Sequence, residues 1–124
     1  MYELTVEGVF SAAHAISIAG VRETVHGHDW RVTATVAGES LDDDGLLCDF
    51  HTVKQVLEDI LGGMNNTDLN GHDAFRGRNA SAEHVARHIF DALTLRVGAS
   101  LAPFARVTAV RVTESPGCAA TYRG

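Results

Sequence analysis

The chain has 124 residues, a length that fits one domain, residues 1–124. A domain of this size buries roughly two-thirds of the surface its unfolded form exposes, so it can fold without disulfide or metal staples. A hydrophobic share of 45% against 21% charged residues excludes a disordered chain. A net charge of -6 argues against a non-specific nucleic-acid binder, and no apolar run approaches the ~20 residues that span a bilayer.

Tyr2 to Phe10 alternates, with Tyr2, Leu4 and Val6 on one side and Glu3, Thr5 and Glu7 on the other, which predicts a half-buried strand rather than a signal peptide. A second alternating run, His26 to Ala37, holds Trp30, Val32, Ala34 and Val36 in phase. Asp42-Asp43-Asp44-Gly45 then reads as a solvated turn. From Thr52 the period changes. Val53, Val56, Leu57, Ile60 and Leu61 make one helix face, stopped at Gly62-Gly63. A second helix is predicted from about Ser81 to Val97, before Gly98, with Val85, Ile89, Leu93 and Val97 as its stripe. Ala105 to Glu114 alternates again, with Val110, Val112 and Glu114 in phase, and a short last strand is predicted over Cys118 to Arg123. The order is ββααββ. Gly62 to Ala80 has no clear period, and a connection that long in a compact domain is read as functional.

Three of the seven histidines form a pattern. His26 and His28 lie at i and i+2 of a strand, so both imidazoles project to one face, in phase with the inward Trp30. His14, just past the first strand, reaches the same spot if the two strands pair antiparallel. Three imidazoles with a fourth position open is the pattern of a catalytic zinc site. His84 and His88 share a helix face but lack a third ligand, and read as an exposed polar face; His51 reads as a capping or surface residue. Cys48 and Cys118 are far apart and read as small packed residues, which suits a reducing, cytoplasmic setting.

Phe10-Ser11-Ala12-Ala13-His14 followed by His26-Gly27-His28 resembles the zinc motif of the 6-pyruvoyl- and 6-carboxy-tetrahydropterin synthase family. Asp49-Phe50 with Lys54, Leu69-Asn70, Asn79-Ala80-Ser81-Ala82-Glu83, Thr113-Glu114 and Tyr122-Arg123-Gly124 resemble further family segments in the same order. The resemblance implies an α+β tunnelling fold, a four-stranded antiparallel sheet with two helices on one face. It implies a homohexamer built as a dimer of trimers, with active sites between subunits. It implies that His14, His26 and His28 bind zinc and that Glu114 anchors the pterin ring. The implied partner is a small-molecule pterin, 7,8-dihydroneopterin triphosphate, with no nucleic acid and no membrane. The implied reaction is lyase-type proton movement along the pterin's side chain, leading by branch toward queuosine, tetrahydropterin or folate products.

The sequence departs from the family at two points. The cysteine expected four residues before His26 is Arg22, and the next residue, Glu23, matches the glutamate of the branch that makes the folate intermediate. A carboxylate acts as base where desolvation raises its pKa. The family's Asp-His dyad is Asn65-Asn66 here, and amides do not exchange protons near neutral pH. His72-Asp73 is the candidate for a displaced dyad, and Arg76 and Arg78 are candidates for receiving a triphosphate. Two readings follow: a zinc-dependent enzyme with Glu23 as base, or a catalytically silent or altered-substrate pterin- or purine-binding homologue.

Overall fold

The computed structural model describes all residues, Met1–Gly124. Strand β1 (Tyr2–His14) and strand β4 (His26–Gly38) pair antiparallel along their whole length, from Tyr2 opposite Gly38 to His14 opposite His26. β1 runs past the expected end at Phe10 because pairing continues through Ser11–His14, while β4 ends one residue beyond Ala37. Strand β6 (Ala105–Ser115) adds to β4, and β7 (Cys118–Arg123) adds to β6, both antiparallel. The period-2 pattern turns Val6, Phe10, Trp30, Val32, Val110 and Val112 inward, where all are buried.

Helix α1 (Phe50–Gly62) starts two residues earlier than its apolar pattern, because Asp49 caps it: its carboxylate accepts from the His51 N–H at 2.8 Å. Val53, Leu57 and Leu61 face the sheet. Helix α2 (Ala82–Leu101) is capped by Ser81 and does not stop at Gly98 as the sequence predicts. Leu101 continues the stripe one turn past Val97 and is buried, so packing outweighs the glycine's helix penalty of about 1 kcal/mol. The chain leaves the helix at Ala102, whose backbone is extended, as the residue before Pro103 favours. Both helices lie on one sheet face, and the opposite face, with Glu7, Val9, Arg31 and Arg111, is exposed.

The expected ββααββ order holds for the long elements, with additions. A two-residue strand β5 (Thr67–Asp68) lies parallel to β1 beside Ala12 and Ala13, so the sheet has five strands in the order β5-β1-β4-β6-β7. A small hairpin, β2 (Ser17–Ile18) with β3 (Val21–Arg22), turns at Ala19 and Gly20, both at positive φ. The aperiodic Gly62–Ala80 stretch is ordered by β5, by 3-10 turns at Leu69–Gly71 and Asp73–Phe75, and by four buried anchors, Met64, Leu69, Phe75 and Ala80. Its period is unreadable because each piece is only two or three residues long.

Candidate metal centre

The antiparallel register sets His14 directly opposite His26, and His28 opposite Ala12, at the end of the sheet. Glu114 comes from β6, in phase with Val110 and Val112, on the same inward side. One ligand atom from each of His14, His26, His28 and Glu114 falls within 4.8 Å of the others. Trp30 lies beneath, its ring edge-on to His14 and His28 and stacked on Phe10.

Backbone carbonyls orient two of the rings. The Ala80 carbonyl lies 2.8 Å from His14 Nδ1, and the Thr24 carbonyl 2.8 Å from His26 Nδ1. A carbonyl only accepts, so each Nδ1 carries the proton and each Nε2 presents a lone pair. Glu114 Oε1 sits 2.9 Å from His14 Nε2 and 3.0 Å from His28 Nε2. Despite these distances, both nitrogens are buried without a hydrogen-bond partner. Lone pairs and a carboxylate oxygen converging this closely repel unless protons or a metal ion lie between them. Three imidazoles and a carboxylate suit a divalent transition metal such as zinc, so the donor set fits the metal that the sequence motif implies.

The stretch after α1 builds the wall of this site. Asn70 takes both backbone groups of Ala15, accepting from its N–H at 2.7 Å and donating to its carbonyl at 2.8 Å. Asn79 does the same for Ser17, at 2.9 Å each way. These two amides substitute for a strand partner and hold the segment that follows His14 against Ala80. The functional role expected of Gly62–Ala80 is therefore partly one of positioning.

Asn65 and Asn66, standing where a dyad is expected, grip β1: Ser11 N–H donates to Asn65 Oδ1 at 2.9 Å, and Asn66 N–H donates to the Ser11 carbonyl at 2.6 Å. The displaced dyad does not form within the chain. His72 Nδ1 accepts from the Ala74 N–H at 3.1 Å, and Asp73 pairs instead with Arg76 at 2.5 Å. Neither joins the histidine cluster. Arg78 donates to the Ala74 carbonyl. Glu23 does reach the site's rim: its Oε1 accepts from the Ile16 N–H at 3.0 Å and lies 3.7 Å from His26 Nε2.

His84 and His88 are half-buried, not the exposed face that the sequence predicts. His84 Nδ1 lies 2.6 Å from the Asn79 carbonyl, and His88 packs edge-on to His72 and Phe75. Burial, then the neighbouring His72, push the His88 pKa below its usual range. The i, i+4 spacing signals that the two rings share a face, but not that the 62–80 segment covers it. Cys118 is exposed rather than packed, while Cys48 is half-buried, its thiol pKa raised by burial and by Asp49.

A groove of about 650 Å³ passes His28, lined by Ser11, Ala12, Gly27, Asp29, Asn66 and Thr67 among others. A separate cavity of about 550 Å³, at Asp42, Asp43, Asp49 and Phe104, shares no residue with the histidines, and its carboxylates would repel a triphosphate.

Comparisons with known proteins give the chain's relatives. A 6-carboxy-5,6,7,8-tetrahydropterin synthase of Bacillus subtilis is 38% identical over 96 residues, 73% of this chain. A relative from Archaeoglobus fulgidus is 31% identical over 61 residues, 49% of this chain. The chain spans 64% and 52% of the lengths of these two relatives. The 6-pyruvoyl tetrahydropterin synthase of Caenorhabditis elegans superposes with a TM-score of 0.80 at 23% identity, over 100% of this chain and 97% of its own. That of Plasmodium vivax, solved as a glutamate-to-alanine catalytic-residue mutant, gives 0.82 at 21% identity, over 99% and 97%. At those identities the superpositions establish the fold alone, α+β with the tunnelling topology. The family description "6-pyruvoyl tetrahydropterin synthase" matches residues 3–124, and the chain belongs to that family.

Proposed function

We propose that the chain is a zinc-dependent, lyase-type enzyme acting on the side chain of 7,8-dihydroneopterin triphosphate. The observation that carries this is the set of inward Nε2 atoms facing the Glu114 carboxylate, two of them buried and unpartnered. His14, His26 and His28 hold the metal, which supplies Lewis acidity to the hydroxyls of a bound side chain. Glu114 accepts hydrogen bonds from the pterin's 2-amino and ring N–H groups, a charge-assisted pair.

Glu23 is the base in this reading. It stands beside His26, 3.7 Å from the Nε2 that faces the metal site. The glutamate described as catalytic in the Plasmodium relative supports a carboxylate in this role. With Asn65 and Asn66 committed to Ser11, no Asp-His pair assists it. Assembly as a hexamer, a dimer of trimers, is supported by two sheet edges without a strand partner, along β1 from Tyr2 to Phe10 and along β7. Two free cysteines support a cytoplasmic setting.

The test is turnover of zinc-loaded protein with 7,8-dihydroneopterin triphosphate under anaerobic conditions, with products identified by mass. A 6-hydroxymethyl product is expected with Glu23 as base, and Glu23→Gln should abolish it. A 6-carboxy or 6-pyruvoyl product would keep the enzyme but remove Glu23's assigned chemistry. Protein that binds zinc and a pterin yet yields no product would favour the second reading, a silent or altered-substrate homologue, which the two asparagines support.

A further inference from the structure

A carboxylate whose only task is to receive a pterin would face the cleft and its water. Glu114 instead points its Oε1 between two histidine nitrogens, at 2.9 and 3.0 Å. In a tetrahedral zinc site with bonds of about 2.0–2.1 Å, neighbouring donors stand about 3.3 Å apart. The Glu114 oxygen stands a little closer than that to two of the nitrogens, and all four donor atoms lie within 4.8 Å of one another, so the set converges on one point. Three histidines plus Glu114 make four ligands, and four protein ligands close a tetrahedral site, whereas catalysis needs a position free.

One of the four must therefore leave, and the structure distinguishes them. His14 is 2% exposed and tied through Nδ1 to Ala80, and His26 is tied to Thr24. The Glu114 carboxylate is tied to no backbone group and is 28% exposed, against 20% for His28. It lies one residue past the last β4–β6 pair, Arg31 with Thr113, and is the residue that the β6–β7 register skips between Thr113 and Ser115. Bulges of this kind re-aim side chains beside active sites.

We propose that Glu114 serves two partners in turn. Before a pterin arrives, its carboxylate is the fourth ligand of the metal. When the pterin's amino and ring N–H groups bind that carboxylate, the Glu114 oxygen leaves, and the vacated position receives an oxygen of the pterin's side chain. One oxygen donor replaces another, and no bond within the substrate changes. The site is thus closed to water until the correct ring opens it, a coupling of recognition to activation. The inference rests on the three histidines holding a metal and on Glu114 facing the pterin.

The experiment uses cobalt(II) as a spectroscopic substitute for zinc in wild-type protein, Glu114→Gln and Glu114→Asp. The probe is unsubstituted pterin, which has the anchoring edge but no side-chain hydroxyls. In the absence of pterin, Glu114→Gln is expected to show a different visible spectrum from wild type, and a zinc affinity lower by at least about tenfold in chelator competition. Glu114→Asp should recover part of both. Saturating pterin should shift the wild-type spectrum toward that of metal-loaded Glu114→Gln. Equal spectra and zinc affinities in wild type and Glu114→Gln would overturn the exchange while leaving the three-histidine site standing. A wild-type spectrum that pterin at saturation leaves unchanged would overturn it as well. Failure of the wild-type chain to take up cobalt or zinc would overturn the metal assignment itself, and the exchange with it.

Discussion

At the scale of single residues, side-chain amides replace backbone partners around the site. Asn70 satisfies both polar groups of Ala15, itself 2% exposed and next to His14. Removing that amide leaves a buried N–H and C=O unpaired, at a cost of about 1–3 kcal/mol. Asn70→Ala is expected to lose that much in urea unfolding of metal-free protein, and to lose zinc affinity as well, because His14 is no longer fixed. Unchanged unfolding would mean that water satisfies Ala15. His88 makes the second prediction. Burial and His72 lower its pKa from the ordinary 6.5; Arg78 lowers it further and Asp91 opposes them. Above 6.5 it is neutral in both folded and unfolded chains and contributes nothing to pH dependence. As pH falls below 6.5, the unfolded chain takes up a proton that the folded chain resists, so stability is lost through that window. Metal-free His88→Gln should therefore lose less stability than wild type between about pH 7.5 and about pH 5.5. An equal loss would assign the acid sensitivity to other groups.

At the scale of elements, Gly38 closes β4 where the chain passes Phe104. A Cβ at Gly38 would stand 2.2 Å from the Phe104 carbonyl oxygen, a backbone atom that cannot swing aside. Gly38→Ala is expected to destabilise the fold by about 1–3 kcal/mol or more, measured by thermal or urea unfolding. Gly8→Ala should cost less, since the one close approach of its new Cβ is to the tip of the Leu61 side chain, with Leu57 at ordinary contact distance. The long elements were legible because burial imposes a period on them: the stripe of α2 and the alternation of β4 read directly. The strand register of the three histidines was legible too, because i and i+2 share a face and an antiparallel neighbour brings His14 alongside. The hairpin at Ile18 to Val21 was not, because Ala19 occupies the left-handed region that alanine seldom signals. Nor were the Gly62–Ala80 turns, whose partners lie more than fifty positions away in sequence. Glu114 was legible as an inward acid on β6, but its approach to the histidine nitrogens depends on a bulge that no pattern in the sequence encodes.

At the scale of the whole molecule, helices cover one sheet face while the other face and both long edges are bare. Val9, 54% exposed, sits on that bare face, and unpaired edges are sites where another chain adds its strand. Light scattering of the purified protein should give a native mass six times 13.2 kDa, or three times at dilution. A monomer at all concentrations would leave the edges unused and remove the support for sites between subunits. The small β5 has a bearing on how such copies would meet. It occupies the margin of β1 at Ala12 and Ala13, and Asn65 and Asn66 just before it already hold Ser11. A strand docking along that margin would slide until it met this segment, and no further. Because a slip of one residue would turn every side chain to the wrong face, β5 would act as a stop that indexes any copy docking there.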